Sequence, residues 1–262
     1  MNKRPPLRRS APVEAENDGV IEGRNAVVEA LRAGTPIDKI YLMKGEGDSA
    51  LGHIASAARE KGIVVVDADR RKLDAMSRTH AHQGVIALAA VREYVSVDDI
   101  LAIAREKGEP PLIVVCDELS DPHNLGAVIR TALLCGAHGV VIPKRGGAQL
   151  TPTVIKSSAG AATRLPVARV ANIGETIRRL KEQNVFVYCA DLDGQPPHKT
   201  NLTGPLALVM GAEGAGVSPL VRRLCDGAVR LYMAARGTGV DSFNVSVAAG
   251  IILYEIMRQR QN

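Results

Sequence analysis

Apolar residues first settle into a regular pattern at "VIEGRNAVVEALRAG", where Ala26, Val27, Ala30 and Leu31 recur with helical spacing and Gly34 supplies a stop. The pattern then predicts a strand in "DKIYLM" (38–43), a helix over "ALGHIASAAREKG" (50–62) and a buried strand in "IVVVD" (63–67). A short helix in "RRKLDAMSRT" and a strand in "GVIALAAV" (84–91) follow. This alternation is enough for a small α/β domain. "REYVSVDDILAIAREKGEPP" carries a short helix between polar ends and closes at Pro110 and Pro111, which marks a junction.

Beyond it the alternation strengthens. "LIVVCD" (112–117) reads as a strand, "NLGAVIRTALLCG" (124–136) as a helix with glycine at its end, and "GVVIP" as the next strand. "TPTVIKSSAGAA" begins with Thr151 as cap and Pro152 in the first turn. A helix in "ETIRRLKEQN", strands in "VFVYCAD" and "LALVM" (206–210), and a capped helix in "SPLVRRLCD" come next. A short strand in "AVRLY" and a long closing helix in "VSVAAGIILYEIMRQR" complete the chain, with Arg258 and Arg260 opposing the negative end of the helix dipole. Continuous apolar strands between helices predict a mainly parallel sheet covered on both faces. The expected organisation is a disordered basic tail (1–18), a small α/β domain (19–92), a linker (93–110) and a larger α/β domain (111–262).

Composition narrows the classes. Hydrophobic residues make up 46% of the 262 positions, so a packed core is expected rather than disorder. Aromatic residues are only 3%, with no Trp, which leaves an aliphatic core and disfavours aromatic base-stacking platforms. The net charge of +5 suits an anionic partner such as RNA, and many soluble enzymes as well. Cys116, Cys135, Cys189 and Cys225 form no Cys-x-x-Cys pair and read as reduced thiols of a cytosolic protein. No apolar stretch is long enough to span a membrane, and the N-terminus lacks the apolar middle of a signal peptide. Lys3, Arg4, Arg8 and Arg9 either touch RNA phosphates or merely solubilise the tail.

Three stretches could carry chemistry. In "VMGAEGAGVS" (209–218) an apolar strand stops at Gly211, Gly214 and Gly216, with Glu213 among them. The order Gly-x-x-Gly-x-Gly reverses the dinucleotide fingerprint, no acid follows at ribose-binding distance, and no phosphate-binding Lys-Ser or Lys-Thr closes this loop. A ligand that needs bare backbone but carries no phosphate fits better; a plain tight turn is the alternative. In "DPHNLGAVIRTA" (121–132) Asn124 stands where a helix begins, as a cap or as something more. Arg130, among apolar neighbours, either leans back toward the loop of Asn124 or snorkels to the surface. In "DSFNVSVAAG" (241–250) Asn244 and Ser246 head an otherwise apolar helix.

Together, in this order, these stretches resemble the three motifs of the SpoU (TrmH) family of RNA ribose 2′-O-methyltransferases. "EGRNAVVEAL" and "HQGVIAL" (82–88) resemble that family's N-terminal substrate-binding domain, which has a ribosomal-protein-like fold. The resemblance covers about residues 20–260 and is nearest to the branch that modifies a guanosine in 23S ribosomal RNA. It implies a SPOUT-type α/β catalytic domain with a deep trefoil knot, a topology that general rules would not predict. It also implies S-adenosylmethionine as methyl donor, no metal, a homodimer whose closing helices pack together, and a cytoplasmic location.

By this resemblance Gly211 and the backbone around Leu231 and Phe243 hold the donor, with Met233 and Ser246 beside it. Arg130 is the catalytic residue, oriented with the substrate by Asn124, Glu213, Asn244 and Ser246. A guanidinium stays protonated, so a charge-stabilising role for Arg130 is preferred; a phosphate-assisted base is the other possibility. Two departures from the family pattern flank the donor pocket: "AARGTGVDSF" is about three residues longer, and Tyr232 replaces a proline. His80 and His82 lack the further ligands of a metal site, and His82 is expected in an RNA-facing loop. His123 either contacts phosphate or lies on a surface loop. Competing functions are a transfer-RNA methyltransferase, a non-catalytic RNA-binding protein on the same fold and, remotely, a nucleotide-cofactor dehydrogenase.

Overall fold

A computed structural model of the chain describes residues 19–43, 48–90, 92–234 and 242–261. Lys3, Arg4, Arg8 and Arg9 lie outside the described residues. The first part runs β1 (Val20–Glu22), α1 (Arg24–Arg32), β2 (Ile37–Met43), α2 (Ser49–Glu60), β3 (Val64–Ala68), α3 (Arg70–Met76) and β4 (Val85–Ala89). These strands form a mixed sheet of order β1-β4-β2-β3, in which only β2 and β3 run parallel. Val27 and Leu31 of α1 and Leu51, Ile54 and Ala58 of α2 pack on Ile37, Ile40 and Val85 of the sheet. α2 starts where it does because the Asp48 carboxylate accepts the amides of Ala50 and Leu51.

The second part runs α4 (Val97–Lys107), β5 (Leu112–Cys116), α5 (Pro122–Leu134), β6 (Gly139–Pro143), α6 (Pro152–Ser157) and β7 (Val167–Val170). It continues through α7 (Ile173–Glu182), β8 (Phe186–Gln195), β9 (Leu206–Met210), α8 (Pro219–Leu224), β10 (Gly227–Val229) and α9 (Val245–Gln261). Its six strands lie in the order β10-β8-β9-β5-β6-β7, and every pairing is parallel. Alternate residues of each strand face opposite sides. Leu112, Val114 and Leu208 meet α5 and α9 on one side; Ile113, Val115 and Val209 meet α4, α7 and α8 on the other. A parallel sheet covered on both faces is the architecture that the continuous apolar runs require.

Some elements differ from the expectations. β1 and β7 carry no strong signal, being three and four residues long. β8 extends to Gln195, whereas β10 stops at Val229 after a register shift against β8. The side chain of Ser218 does not cap α8. His82 is not an RNA-facing side chain: it is buried, its Nδ1 accepts the Gly84 amide (3.0 Å), and its Nε2 faces the Asp74 carboxylate (3.0 Å). There it closes a turn in which Gln83 and Gly84 both have positive φ. All four cysteines are free thiols, and burial pushes that of Cys116 up to about 12.

Residues 92–107 are packed along the second sheet. Arg92 donates to the carbonyls of Ala162 and Leu165, the Val95 amide donates to the Val167 carbonyl (3.0 Å), and Ile100 fills the space left by Gly139. A buried cluster then joins the two sheets. Arg169 of β7 donates through Nη1 to the Asp38 carboxylate of β2 (2.7 Å), and its guanidinium lies over the Tyr94 ring at 4.3 Å. The Tyr94 hydroxyl in turn accepts the Leu150 amide (3.1 Å). Asp38 is only 2% exposed, and burial raises its carboxyl above the usual range. Removing one partner strands a buried charge. Asp38→Ala is therefore expected to destabilise the protein by about 3–5 kcal/mol, read from urea unfolding, whereas Glu29→Ala, in an exposed pair with Arg32, should change stability by well under about 1 kcal/mol.

Candidate functional site

The C-terminal ends of β8, β9 and β10 converge on one cavity of about 540 Å³, a size typical of small-molecule sites. Ligands of open parallel sheets bind at such strand ends. The wall after β9 is the glycine loop, and its glycines have separable tasks. The Ala212 amide donates to the Gly216 carbonyl and the Gly216 amide to the Ala212 carbonyl, both at 2.9 Å, so the loop is a closed hairpin. A Cβ on Gly211 would lie 2.1 Å from the Gly216 carbonyl carbon. Gly211 is thus bare because the loop folds back on itself, as the tight-turn alternative requires. Gly214 and Gly216 hold positive φ and make the turn. Asp117, buried at the end of β5, accepts the Ser218 amide (2.9 Å) and anchors the loop's exit.

Glu213 at the tip of this loop gathers the other two motifs. Its Oε1 accepts the side-chain amides of Asn124 (2.8 Å) and Asn244 (2.6 Å), and Asn244 also donates to the Asn124 Oδ1 (3.1 Å). The triangle joins positions 120 residues apart. Capping explains only part of it. Asp121, not Asn124, caps α5, accepting the His123 amide (3.0 Å), which leaves the buried Asn124 side chain free for Glu213. Asn244 does cap α9: its Oδ1 accepts the amides of Ser246 (3.0 Å) and Val247 (3.4 Å). The Ser246 hydroxyl donates to the same oxygen at 2.6 Å.

Of the residues expected at the site, Gly211, Glu213, Leu231, Met233, Phe243 and Asn244 line the cavity. Asn124 and Ser246 stand behind it, linked through the triangle. Residues 235–241 of the longer segment lie outside the described residues. Arg130 is not brought into the cluster. It lies about a third of a turn round α5 from Asn124, on an exposed face with His123 and Leu134, and has no hydrogen bond or ion pair among the described residues. Its expected lean toward Asn124 is overridden by helical phase, which turns Asn124 inward and Arg130 outward.

The opposite wall, Ala190–Asp193, was missed. Arg222 of α8 donates through Nε and Nη2 to the Asp191 carboxylate, holding it below the usual carboxylate range and tying that wall to the helix after the glycine loop. The only sequence signal was an acid at the end of a strand in "CADLDG". Arg230, beside Leu231, also reaches the cavity. Met210, Val229, Val245, Ala248 and Ile252 give it an apolar floor. Among the described residues no group of His, Cys, Asp and Glu is arranged to hold a metal ion, and no helix is long and apolar enough to cross a membrane.

This fold and site define a class: a parallel α/β domain with a hairpin-closed glycine pocket, joined to a small mixed-sheet domain. The SpoU rRNA methylase family matches residues 111–254, and an RNA 2′-O ribose methyltransferase substrate-binding domain matches residues 20–95. The chain belongs to the SpoU rRNA methylase family. It is 42% identical, over 94% of its length, to 97% of the TrmH-family tRNA/rRNA methyltransferase YacO of Bacillus subtilis. It is 40% identical, over 99% of its length, to 80% of a tRNA/rRNA methyltransferase of Mycobacterium tuberculosis. Among solved structures it is similar to the SpoU methyltransferase AviRb of Streptomyces viridochromogenes in complex with AdoMet, with 26% identity, a TM-score of 0.59, and coverage of 92% of this chain and 90% of that one.

Because loop closure depends on contact between Gly211 and Gly216, Gly211→Ala is expected to cost about 1–3 kcal/mol by overpacking. Hydrogen exchange at the Ala212 and Gly216 amides should quicken in this variant, measured by NMR.

Proposed function

We propose that the chain transfers a methyl group from S-adenosylmethionine to the 2′-hydroxyl of a ribose in RNA, with a guanosine of 23S ribosomal RNA as target. The observation that carries this reading is the Asn124–Glu213–Asn244 triangle beside a cavity walled by closed backbone. A donor with an adenine, a ribose and an amino-acid tail but no phosphate suits an apolar floor with main-chain edges, and the lining by Gly211, Leu231, Met233 and Phe243 supports their assignment as its contacts. The donor supplies an electrophilic methyl group; the chain supplies alignment and management of charge. The 2′-oxygen bonds to the methyl carbon as the carbon–sulfur bond breaks and neutral S-adenosylhomocysteine leaves, and the hydroxyl proton passes to solvent water. In this reading Glu213, held by two amides, and Asn244, with Ser246 behind it, orient the ribose, while Arg130 stabilises the developing alkoxide and an adjacent phosphate.

A homodimer completes the reading. α9 exposes Val247, Ile251 and Tyr254 as an apolar stripe at helical spacing, although its other face is buried. α5 packs beside it, through Thr131 against Gly250, and exposes Leu134 and Arg130. A second copy covering both helices would bury the stripe and bring Arg130 to the boundary between protomers, which accounts for a catalytic side chain that faces away from its own cavity. A trefoil knot through the C-terminal part and a cytoplasmic location belong to the same proposal. The ribosomal target is favoured over transfer RNA by the matched substrate-binding domain at residues 20–95, an added surface suited to a large structured RNA.

Three measurements test this. Arg130→Ala should abolish labelled-methyl transfer to RNA while calorimetry shows donor binding nearly intact; lost donor binding would refute that division of labour. Light scattering at micromolar concentration should give a dimer for the native protein and a monomer for Ile251→Asp. Ribose-methylation mapping of ribosomal RNA, with and without the protein, should lose one 23S position; a loss confined to transfer RNA would replace the target.

A further inference from the structure

The cavity wall holds one cation whose hydrogen bonding is incomplete. The backbone of Arg230 is fixed by its amide, which donates to the Gln195 carbonyl (3.0 Å). Its guanidinium lies over the Tyr232 ring, 5.4 Å from the centroid. Its Nε is buried, yet has no hydrogen-bond partner among the described residues. A buried donor left unpaired costs about 1–3 kcal/mol, and native structures rarely keep one unless a water, an ion or a ligand completes it. The other charged groups of the wall are engaged: Asp191 and Asp193 with Arg222, and Glu213 with the two asparagines.

We propose that Arg230 holds the α-carboxylate of the methyl donor's methionine part. This rests on the donor assigned above and names the residue that recognises its tail. The donor carries a sulfonium, an ammonium and one carboxylate, so the carboxylate is its one anionic group and complements a guanidinium in charge as well as in hydrogen bonding. Arginine suits the task because its planar fork gives a carboxylate two parallel hydrogen bonds and cannot be neutralised. The Tyr232 ring, 5.4 Å from the guanidinium carbon, flanks that fork. It also gives a use to a position where the family resemblance leads one to expect proline: a ring there is a platform that a proline would not provide.

The test is calorimetric titration with S-adenosylmethionine and with its decarboxylated analogue, against the native protein, Arg230→Gln and Arg230→Lys. Losing a charge-assisted pair should weaken donor binding about 10- to 100-fold in Arg230→Gln, with partial recovery in Arg230→Lys. The analogue should bind the native protein correspondingly more weakly and lose nothing further in Arg230→Gln. Equal losses for both ligands would show that Arg230 only shapes the wall, and would overturn the assignment. Should Arg230→Gln fail to give native circular dichroism, the two ligands on the native protein decide alone: equal affinities overturn the assignment. Native protein that binds neither ligand overturns the donor reading itself.

Discussion

The site depends on one contact: the backbone of Gly211 pressed against that of Gly216. Because no side chain stands between them, the segment from Ala212 to Gly216 closes into a hairpin with two 2.9 Å hydrogen bonds. Glu213 is thereby lifted to a fixed tip, where one carboxylate oxygen can serve two amides from distant parts of the chain. Without closure the carboxylate would ride on a mobile loop, and Asn124 and Asn244 would lose their common acceptor. The anchors at Asp117 and at Asp191–Arg222 act on the same element from its two flanks. Preorganisation here comes from backbone geometry first and side-chain charge second.

The parallel sheet explains why the parts meet where they do. Its strands end together, so loops from β8, β9 and β10 must share one edge, and α9 returns across that edge to close the floor with Val245, Ala248 and Ile252. The walls are made by residues far apart in sequence, yet none needs a long excursion. The chemistry follows from this layout. Main chain and apolar side chains form most of the pocket, and each carboxylate in it already has a partner, which suits alignment of a reactive cofactor better than acid–base work by the pocket itself.

Much of this was legible in the sequence. The apolar runs gave the covered parallel sheet, and Gly211, Glu213, Asn124 and Asn244 announced themselves by position at element boundaries. What could not be read has physical causes. β7 is a four-residue edge strand whose Arg169 breaks the apolar pattern because it serves an interface rather than a core. The outward phase of Arg130 depends on which face of α5 the sheet claims, and that depends on packing across the whole domain. The Asp191–Arg222 tie joins residues 31 apart through tertiary contact, with no local spacing to betray it. For Asn124 the sequence left a cap and a site role both open, and only the structure shows that Asp121 takes the capping duty.

The buried link from Asp38 through Arg169 to Tyr94 has a consequence beyond stability. A hinge between the two sheets would let the smaller one swing toward whatever RNA arrives. A charged pair sealed from water, stacked on a ring, acts instead as a strut. The matched substrate-binding domain is then held at a fixed distance from the cavity, as a caliper's jaws are, rather than swinging free of it.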